Sequence, residues 1–198
     1  MPPPYGPPDD PTYAAFITTL QQHELPLFGH LRSPADMQTG QSVDPPLPPL
    51  GTDLEAWWSW HDGIDYNVPY DNDQPYTFFF WRLPGLRDAV ALRDWWWEQS
   101  RAGSPDDPTA TWRPEWLPVL VDQDSMVFAN LLANPGDRDR IMRLDRETPA
   151  DEAQVLAPDF QTVVARLTDR FDRGVISWNS RKQEWVDHGL GDRRIEDA

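Results

Sequence analysis

Residues 116–132 read WLPVLVDQDSMVFANLL, and this stretch decides the fold class of the chain. Two apolar runs, Trp116 to Val121 and Met126 to Leu132, flank the polar triplet Asp122, Gln123 and Asp124, a pattern that predicts two strands joined by a turn. Residues 140–145 continue with a two-residue alternation, which predicts a third strand. The middle of the chain is therefore expected to form an antiparallel meander.

Four segments outside the meander have helical periodicity. The first begins after Asp10, an N-cap followed by proline; the second begins at Thr52, which with Glu55 forms a capping box, and ends at Asp62 and Gly63. A third covers about 86–99, and the most regular one covers 159–174. The positions at helical spacing are Tyr13, Phe16, Ile17 and Leu20; Leu54, Trp57, Trp58 and His61; Leu86, Ala89, Val90, Arg93, Trp96 and Trp97; and Phe160, Val163, Val164, Leu167 and Phe171.

Two further β segments complete the predicted order of elements. The run YTFFFWRL at residues 76–83 predicts a buried strand, and residues 175–186 predict a hairpin around Asn179 and Ser180. Strands and helices do not alternate strictly, so we expect an α+β fold, with a central, mostly antiparallel sheet packed by about four helices. Residues 1–10 are predicted to be a proline-rich flexible arm, 11–186 a single domain and 187–198 a polar tail.

Composition limits the possible partners of the protein. The 198 residues carry 33 acids and 17 Lys or Arg, a formal net charge of −16, which would repel duplex nucleic acid and anionic membranes. There is no cysteine, which excludes disulfides and thiolate chemistry. The beginning of the chain, MPPPYGPPDD, does not resemble a secretory signal, and no apolar run is long enough to span a membrane. We expect a soluble cytoplasmic protein.

Catalytic and metal-binding patterns are missing from the sequence. There is no phosphate-binding glycine loop, nucleophile elbow or HExxH zinc motif. His61 and Asp62 form the best acid–base pair, but neighbours in sequence do not face each other on a helix. Asp71 to Asp73 and Asp122 to Asp124 lack the later ligands of a calcium loop. We therefore assign no catalytic residue, metal or cofactor.

An acidic, aromatic-rich strip stands out in the first half of the chain. Residues 1–81 contain eleven acids and one base, Arg32, and six of the acids lie between Asp53 and Asp73 among several aromatic residues. Acids steer a basic partner over distance, and exposed aromatic rings supply anchors on contact. Each tryptophan cluster, 57–60 and 95–97, should also expose at least one ring. The predicted partner-binding residues are Asp53, Glu55, Trp58, Trp60, His61, Asp62, Asp65, Tyr66, Asp71 and Asp73.

Several of these segments together resemble the SMI1/KNR4 superfamily, also called SUKH. The similarity covers about residues 30–186 and includes PPLPPLGTDLEAWWSWHDG before Ile64, the WLP step at 116–118 and the helix DFQTVVARLTDRFDRG. Many members carry an aspartate in the strand after the WLP step, where this chain has Asn130. The resemblance implies structural roles for Gly63, Trp116, Leu117 and Pro118, an α+β domain, and no enzymatic activity.

The resemblance also implies a class of function. Bacterial members are often immunity proteins that bind and neutralise a cognate toxin, often a nuclease, whereas fungal members are linked to cell-wall glucan synthesis. Our leading hypothesis is an immunity protein that binds a basic toxin domain through the acidic strip. The alternatives are a regulatory scaffold or carbohydrate-binding module that uses exposed tryptophans, and a hydrolase that uses His61 with Asp62. The oligomeric state is not predicted.

Overall fold

The elements follow the predicted order, with additions. The structure is a computed structural model, and it describes residues 8–39, 44, 46–64, 81–102, 112–121, 125–131, 139–145, 152–182 and 184–188. Within these ranges the helices are α1 (Pro11–Gln22), α2 (Thr52–Trp60), α3 (Leu86–Ala102) and α4 (Phe160–Asp172), and a 3-10 helix covers Pro26–His30. The strands are β1 (Trp116–Val121), β2 (Ser125–Asn130), β3 (Ile141–Asp145), β4 (Gln154–Ala157), β5 (Ile176–Asn179) and β6 (Glu184–Asp187).

Strands β1 to β4 form one antiparallel sheet in chain order, and β5 pairs with β6 in a hairpin. The α+β prediction is confirmed, as is the meander of β1, β2 and β3. Strand β4 is an addition that the sequence did not predict. Of the strand predicted at 76–83, only the end is described, where Arg82 pairs with Val121 of β1. Strand β6 ends at Asp187, and residues 189–198 of the predicted tail lie outside the described residues, as do residues 1–7 of the arm.

Apolar side chains cover both faces of the four-stranded sheet. Along β2, Val127 and Ala129 point into a large cluster shared with α1, α2 and α4, whereas Met126 and Phe128 point into a smaller cluster around Trp112 and Trp116. This is the two-residue alternation of a strand that is covered on both sides. Helix α3 contributes to both clusters, with its first half in the large one and Trp96 and Trp97 in the smaller one.

The sequence predicted N-caps for α1 and α2, and one of the two is correct. The carboxylate of Asp10 accepts hydrogen bonds from the backbone N–H groups of Thr12 and Tyr13, and Pro11 is the first residue of α1, as predicted. The capping box at Thr52 is wrong. Gly51 is the N-cap of α2, no side chain caps this end, and Thr52 already lies within the helix. Within the described ranges, no helix has the length and apolar character needed to cross a membrane.

Candidate protein-binding site

The structure places most described members of the acidic strip inside the protein. Trp58 is fully buried, His61 is fully buried, and Trp60 is 7% exposed. The prediction that these three side chains contact a partner is therefore wrong. The expectation that the 57–60 cluster exposes a ring is also wrong, because Trp57 is buried as well.

Helix α2 can bury neighbouring tryptophans because it is covered on more than one side. The Trp57 ring packs against Tyr13 of α1 and Phe160 of α4, with ring centroids 5.0 Å and 5.2 Å apart. The Trp58 indole N–H donates to the carbonyl oxygen of Pro84 at 3.2 Å, on a different side of the helix. Tryptophans about 100° apart around a helix axis can both be buried when the helix lies in the interior.

Asp53 is a buried structural acid. Its carboxylate accepts a 2.8 Å hydrogen bond from the backbone N–H of Phe160, the first residue of α4, and its carbonyl oxygen accepts one from the Tyr13 hydroxyl. Burial raises the pKa of Asp53, partly offset by the N–H group of Phe160. The assignment of Asp53 to a partner-binding surface is therefore wrong, because the side chain joins α2 to α4. Glu55, in the same helix turn, is exposed.

We expect Asp53→Ala to lower the free energy of unfolding by about 2 kcal/mol, because it leaves the buried N–H of Phe160 without an acceptor. Asp53→Asn keeps one acceptor oxygen and removes a buried charge, so its cost should be smaller. Glu55→Ala is the surface control and should change stability by less than about 0.5 kcal/mol. Urea unfolding at neutral pH measures all three. Equal losses in Asp53→Ala and Glu55→Ala would contradict the role of the Asp53 side chain in joining α2 to α4.

We call residues 57–63, the end of α2 and the three residues after it, the junction segment. These residues contact Arg32, residues 83–84 and the start of α3. The carboxylate of Asp62 accepts a 2.6 Å hydrogen bond from the backbone N–H of Leu86, the first residue of α3. Burial raises the pKa of Asp62, an effect that this N–H and Arg32 oppose. Asp62 is half-buried and is already bound within the protein, which does not fit the prediction that it is a partner-binding acid.

Arg32 and Gly63 complete the junction. The Arg32 Nε donates to the carbonyl oxygen of Asp62 at 2.7 Å, and its guanidinium pairs with Asp88 of α3. Gly63 has a φ of +67°, and its backbone lies against Leu83 and Pro84. Sequence reasoning missed Arg32, although a single base among the eleven acids of residues 1–81 is a signal for an internal ion pair. Gly63 has the conformation and the close contacts that require glycine, in line with a structural role.

The His61 imidazole lies between tryptophan rings and not beside a carboxylate. Its ring centroid is 4.1 Å from that of Trp57 and 4.8 Å from that of Trp60, and neither ring nitrogen has a hydrogen-bond partner. Burial lowers the pKa of His61 to about 4. The Asp62 carboxylate binds the N-terminus of α3 instead of this imidazole, so the His61 and Asp62 pair is not assembled for acid–base catalysis.

The remaining predicted site residues either lie in β1 or lie outside the described residues. Trp116 packs in the smaller cluster, stacked on Phe128 at 4.4 Å, while Leu117 points into the large cluster. Pro118 lies in β1 at a shift in register, in a strand at the edge of the described sheet, where a residue without an N–H is tolerated. Asp65, Tyr66, Asp71 and Asp73 lie outside the described residues, as do Asp122 to Asp124.

Among the described residues, the most exposed aromatic side chain lies on α3. Trp95 is 51% exposed, which confirms that the 95–97 cluster exposes a ring, and Trp96 and Trp97 are partly buried against the smaller cluster. Val155 of β4 is 52% exposed, and it pairs with Met142, which packs against the same cluster. We call the surface formed by Trp95, Trp96 and Trp97 of α3 the tryptophan face.

Beneath the tryptophan face, two buried polar groups lack partners. The indole N–H groups of Trp112 and Trp116 are buried without a hydrogen-bond acceptor, although the two rings pack edge to face at 5.3 Å. Such groups cost stability, so the packing of the aromatic rings has to offset that cost. The sequence indicated an aromatic cluster here but could not show which ring faces solvent.

Other possible sites in the described ranges are limited. A cleft of about 320 Å³ is lined by Arg82, Asp88, Ala91, Leu92 and Val121. Its acid, Asp88, is paired with Arg32, so we assign no ligand to it. No group of three histidine or acidic side chains in the described part of the chain could hold a metal ion.

No protein-family model matches the chain, and no curated protein matches it either.

Proposed function

We propose that this protein is a non-catalytic binding protein of the immunity type, which binds and neutralises a basic toxin domain in the cytoplasm. The observation that carries the proposal is the half-exposed Trp95, on a chain whose net charge is −16. Tryptophan is enriched among the residues that dominate binding energy at interfaces, and a strongly acidic chain attracts basic proteins from solution. The resemblance to SMI1/KNR4 proteins supports the same function.

The acidic strip keeps only part of its proposed role. Its buried members bind other parts of this protein, whereas Glu55 is exposed, and Asp65, Tyr66, Asp71 and Asp73 remain proposed contacts for the partner. Steric coverage of the toxin's active site, or of a surface next to it, would block access of its substrate without any chemical step. The toxin needs a basic surface, since an acidic one would be repelled.

The test is binding between this protein and the product of the neighbouring gene, with both proteins purified. We expect a stoichiometric complex, loss of toxin activity, and an association rate that falls at least about tenfold between about 50 mM and about 500 mM NaCl, because salt screens electrostatic steering. Stopped-flow tryptophan fluorescence measures the rate. The absence of a complex at either salt concentration, or association that is independent of salt, would contradict the proposal.

A carbohydrate-binding scaffold is the second candidate, and the same tryptophan favours it. A half-exposed indole ring can stack on a sugar ring as well as on a protein side chain. Glucan oligosaccharides should then quench the fluorescence of the wild-type protein and not that of Trp95→Ala. Quenching that is equal in both proteins would remove Trp95 from this role.

A further inference from the structure

The proline-rich segment before α2 has the residue pattern of a polyproline II helix. Residues 46–50 read PLPPL and belong to no helix or strand of the described structure. Each proline fixes its own φ at about −65° and directs the residue before it away from helical backbone. These two restraints act on all of residues 46–49. The N-cap of α2, Gly51, has a φ of −71° and a ψ of 157°, which are close to the values of a polyproline II helix.

The burial of these residues follows the three-residue repeat of that helix, in which side chains at i and i+3 lie on the same ridge. Leu47 and Leu50 are partly buried and pack against the large cluster. Pro46 and Pro49, each one position earlier, are exposed. At a rise of about 3.1 Å per residue, the two proline rings lie about 9 Å apart. We call Pro46 and Pro49 the proline ridge, which faces solvent while the leucines fix the segment to the core.

We infer that the proline ridge is a binding site for a protein whose groove is lined by aromatic side chains and bordered by basic ones. Grooves of this kind recognise prolines at three-residue spacing in polyproline II segments. The prolines and the two packed leucines hold the segment in this backbone before binding, so little conformational entropy is lost when a partner binds. The inference adds a second binding surface, and it does not depend on the proposed function.

The charge around the proline ridge favours a basic border on the groove of the partner. Residues 33–60 contain four acids and no lysine or arginine. Two of these acids, Asp44 and Glu55, lie on either side of the ridge in the sequence, and both are exposed. The nearest base in the sequence, Arg32, is paired with Asp88 of α3. An acidic border on the groove would therefore be repelled, and a basic one attracted.

The probe is a WW domain, whose groove for polyproline II segments is lined by aromatic side chains. Three forms are compared: one with two lysines added at the border of the groove, one with two glutamates there, and one with the groove aromatics replaced by alanine. Nitrogen-15 NMR of the full chain follows the backbone N–H signals of Leu47, Leu50 and Gly51. We expect the lysine form to shift these signals, the glutamate form to bind at least about fivefold more weakly, and the alanine form to leave them unchanged. Absence of shifts with the lysine form, or a glutamate or alanine form that binds as tightly, would overturn the inference.

Substitution of the two exposed prolines tests the ridge itself. The double variant Pro46→Ala, Pro49→Ala removes both rings and should weaken binding of the lysine form about tenfold. Pro34→Ala removes an exposed proline outside the segment and should bind as the wild type does. Circular dichroism checks the fold of both variants. Equal affinity of the wild type and the double variant would overturn the inference.

A second copy of the chain is the alternative occupant, since Trp95 supplies an exposed aromatic ring. Sedimentation of the protein alone tests it. If the wild type is a dimer and the double variant is a monomer, the occupant is a second copy and the inference is overturned. We expect both to be monomers, because a net charge of −16 on each copy opposes self-association, and this result supports a separate protein as the partner.

Discussion

Gly63→Ala should lower the free energy of unfolding by about 2–5 kcal/mol. Two costs add at this position. An alanine at a φ of +67° lies in the left-handed region, which costs about 1–2 kcal/mol for a residue with a Cβ atom. The added methyl group would lie 2.5 Å from the carbonyl oxygen of Leu83 and 2.6 Å from the carbonyl carbon of Pro84, and relief of such overpacking costs about 1–3 kcal/mol.

Gly174 provides a matched control for the first of these costs. Its φ is +66°, close to that of Gly63, but a methyl group there would meet no atom within 4 Å. Gly174→Ala should therefore lose only about 1–2 kcal/mol. Urea unfolding followed by tryptophan fluorescence compares the two variants, and the difference between them measures the close approach of residues 63 and 83–84. If both variants lose the same free energy of unfolding, Gly63 packs less tightly against residues 83–84 than the distances indicate.

The local signals in the sequence predicted the parts of the fold that depend on local structure. Asp10 before Pro11 predicted the start of α1, and the spacing from Phe160 to Phe171 predicted α4, whose residues at that spacing are all buried. Strand β4 was missed because it has only four residues and half of them are exposed, so it has no long alternation. The N-cap of α2 was wrongly predicted because Thr52 and Glu55 have the residue types of a capping box without its geometry.

The candidate site was harder to predict, because burial depends on contacts between distant segments. Sequence alone shows that four of the five residues 57–61 carry aromatic rings, but not that α1, α4 and residues 83–85 surround them. The same limit applies to Trp95, Trp96 and Trp97. Their helical positions require that at least one ring leave the core, yet only the packing of Trp96 and Trp97 against the smaller cluster shows that Trp95 is the one most exposed.

Acidification should destabilise the protein through His61, by about 3 kcal/mol between neutral pH and pH 4. In the folded protein, burial lowers the pKa of His61 to about 4 from its ordinary value of 6.5. Between these two values the unfolded chain binds a proton that the folded protein does not, so the free energy of unfolding falls as the pH falls. A difference of 2.5 in pKa corresponds to about 3 kcal/mol.

Near pH 4, protonation of two carboxyl groups has the opposite effect to that of His61, because it favours the folded protein. Burial raises the pKa values of Asp53 and Asp62 above 3.8, so the folded protein takes up protons there before the unfolded chain does. Their titration offsets part of the loss caused by His61, and the wild-type curve alone cannot separate the three groups. Comparison with a variant that lacks only the imidazole removes this difficulty, because the carboxyl contributions cancel in the difference.

His61→Phe is that variant, since it places an apolar ring among Trp57 and Trp60 and has no group to protonate. We expect it to be about as stable as the wild type at neutral pH, or about 1 kcal/mol more stable, because a buried imidazole without partners is costly. Its advantage should grow by about 3 kcal/mol as the pH falls to 4. His23→Phe removes an exposed histidine instead and measures the effect of losing any imidazole. If His61→Phe and wild type keep a constant difference from neutral pH to pH 4, then His61 is reached by protons without unfolding, and the packing of the junction segment around its ring is not tight.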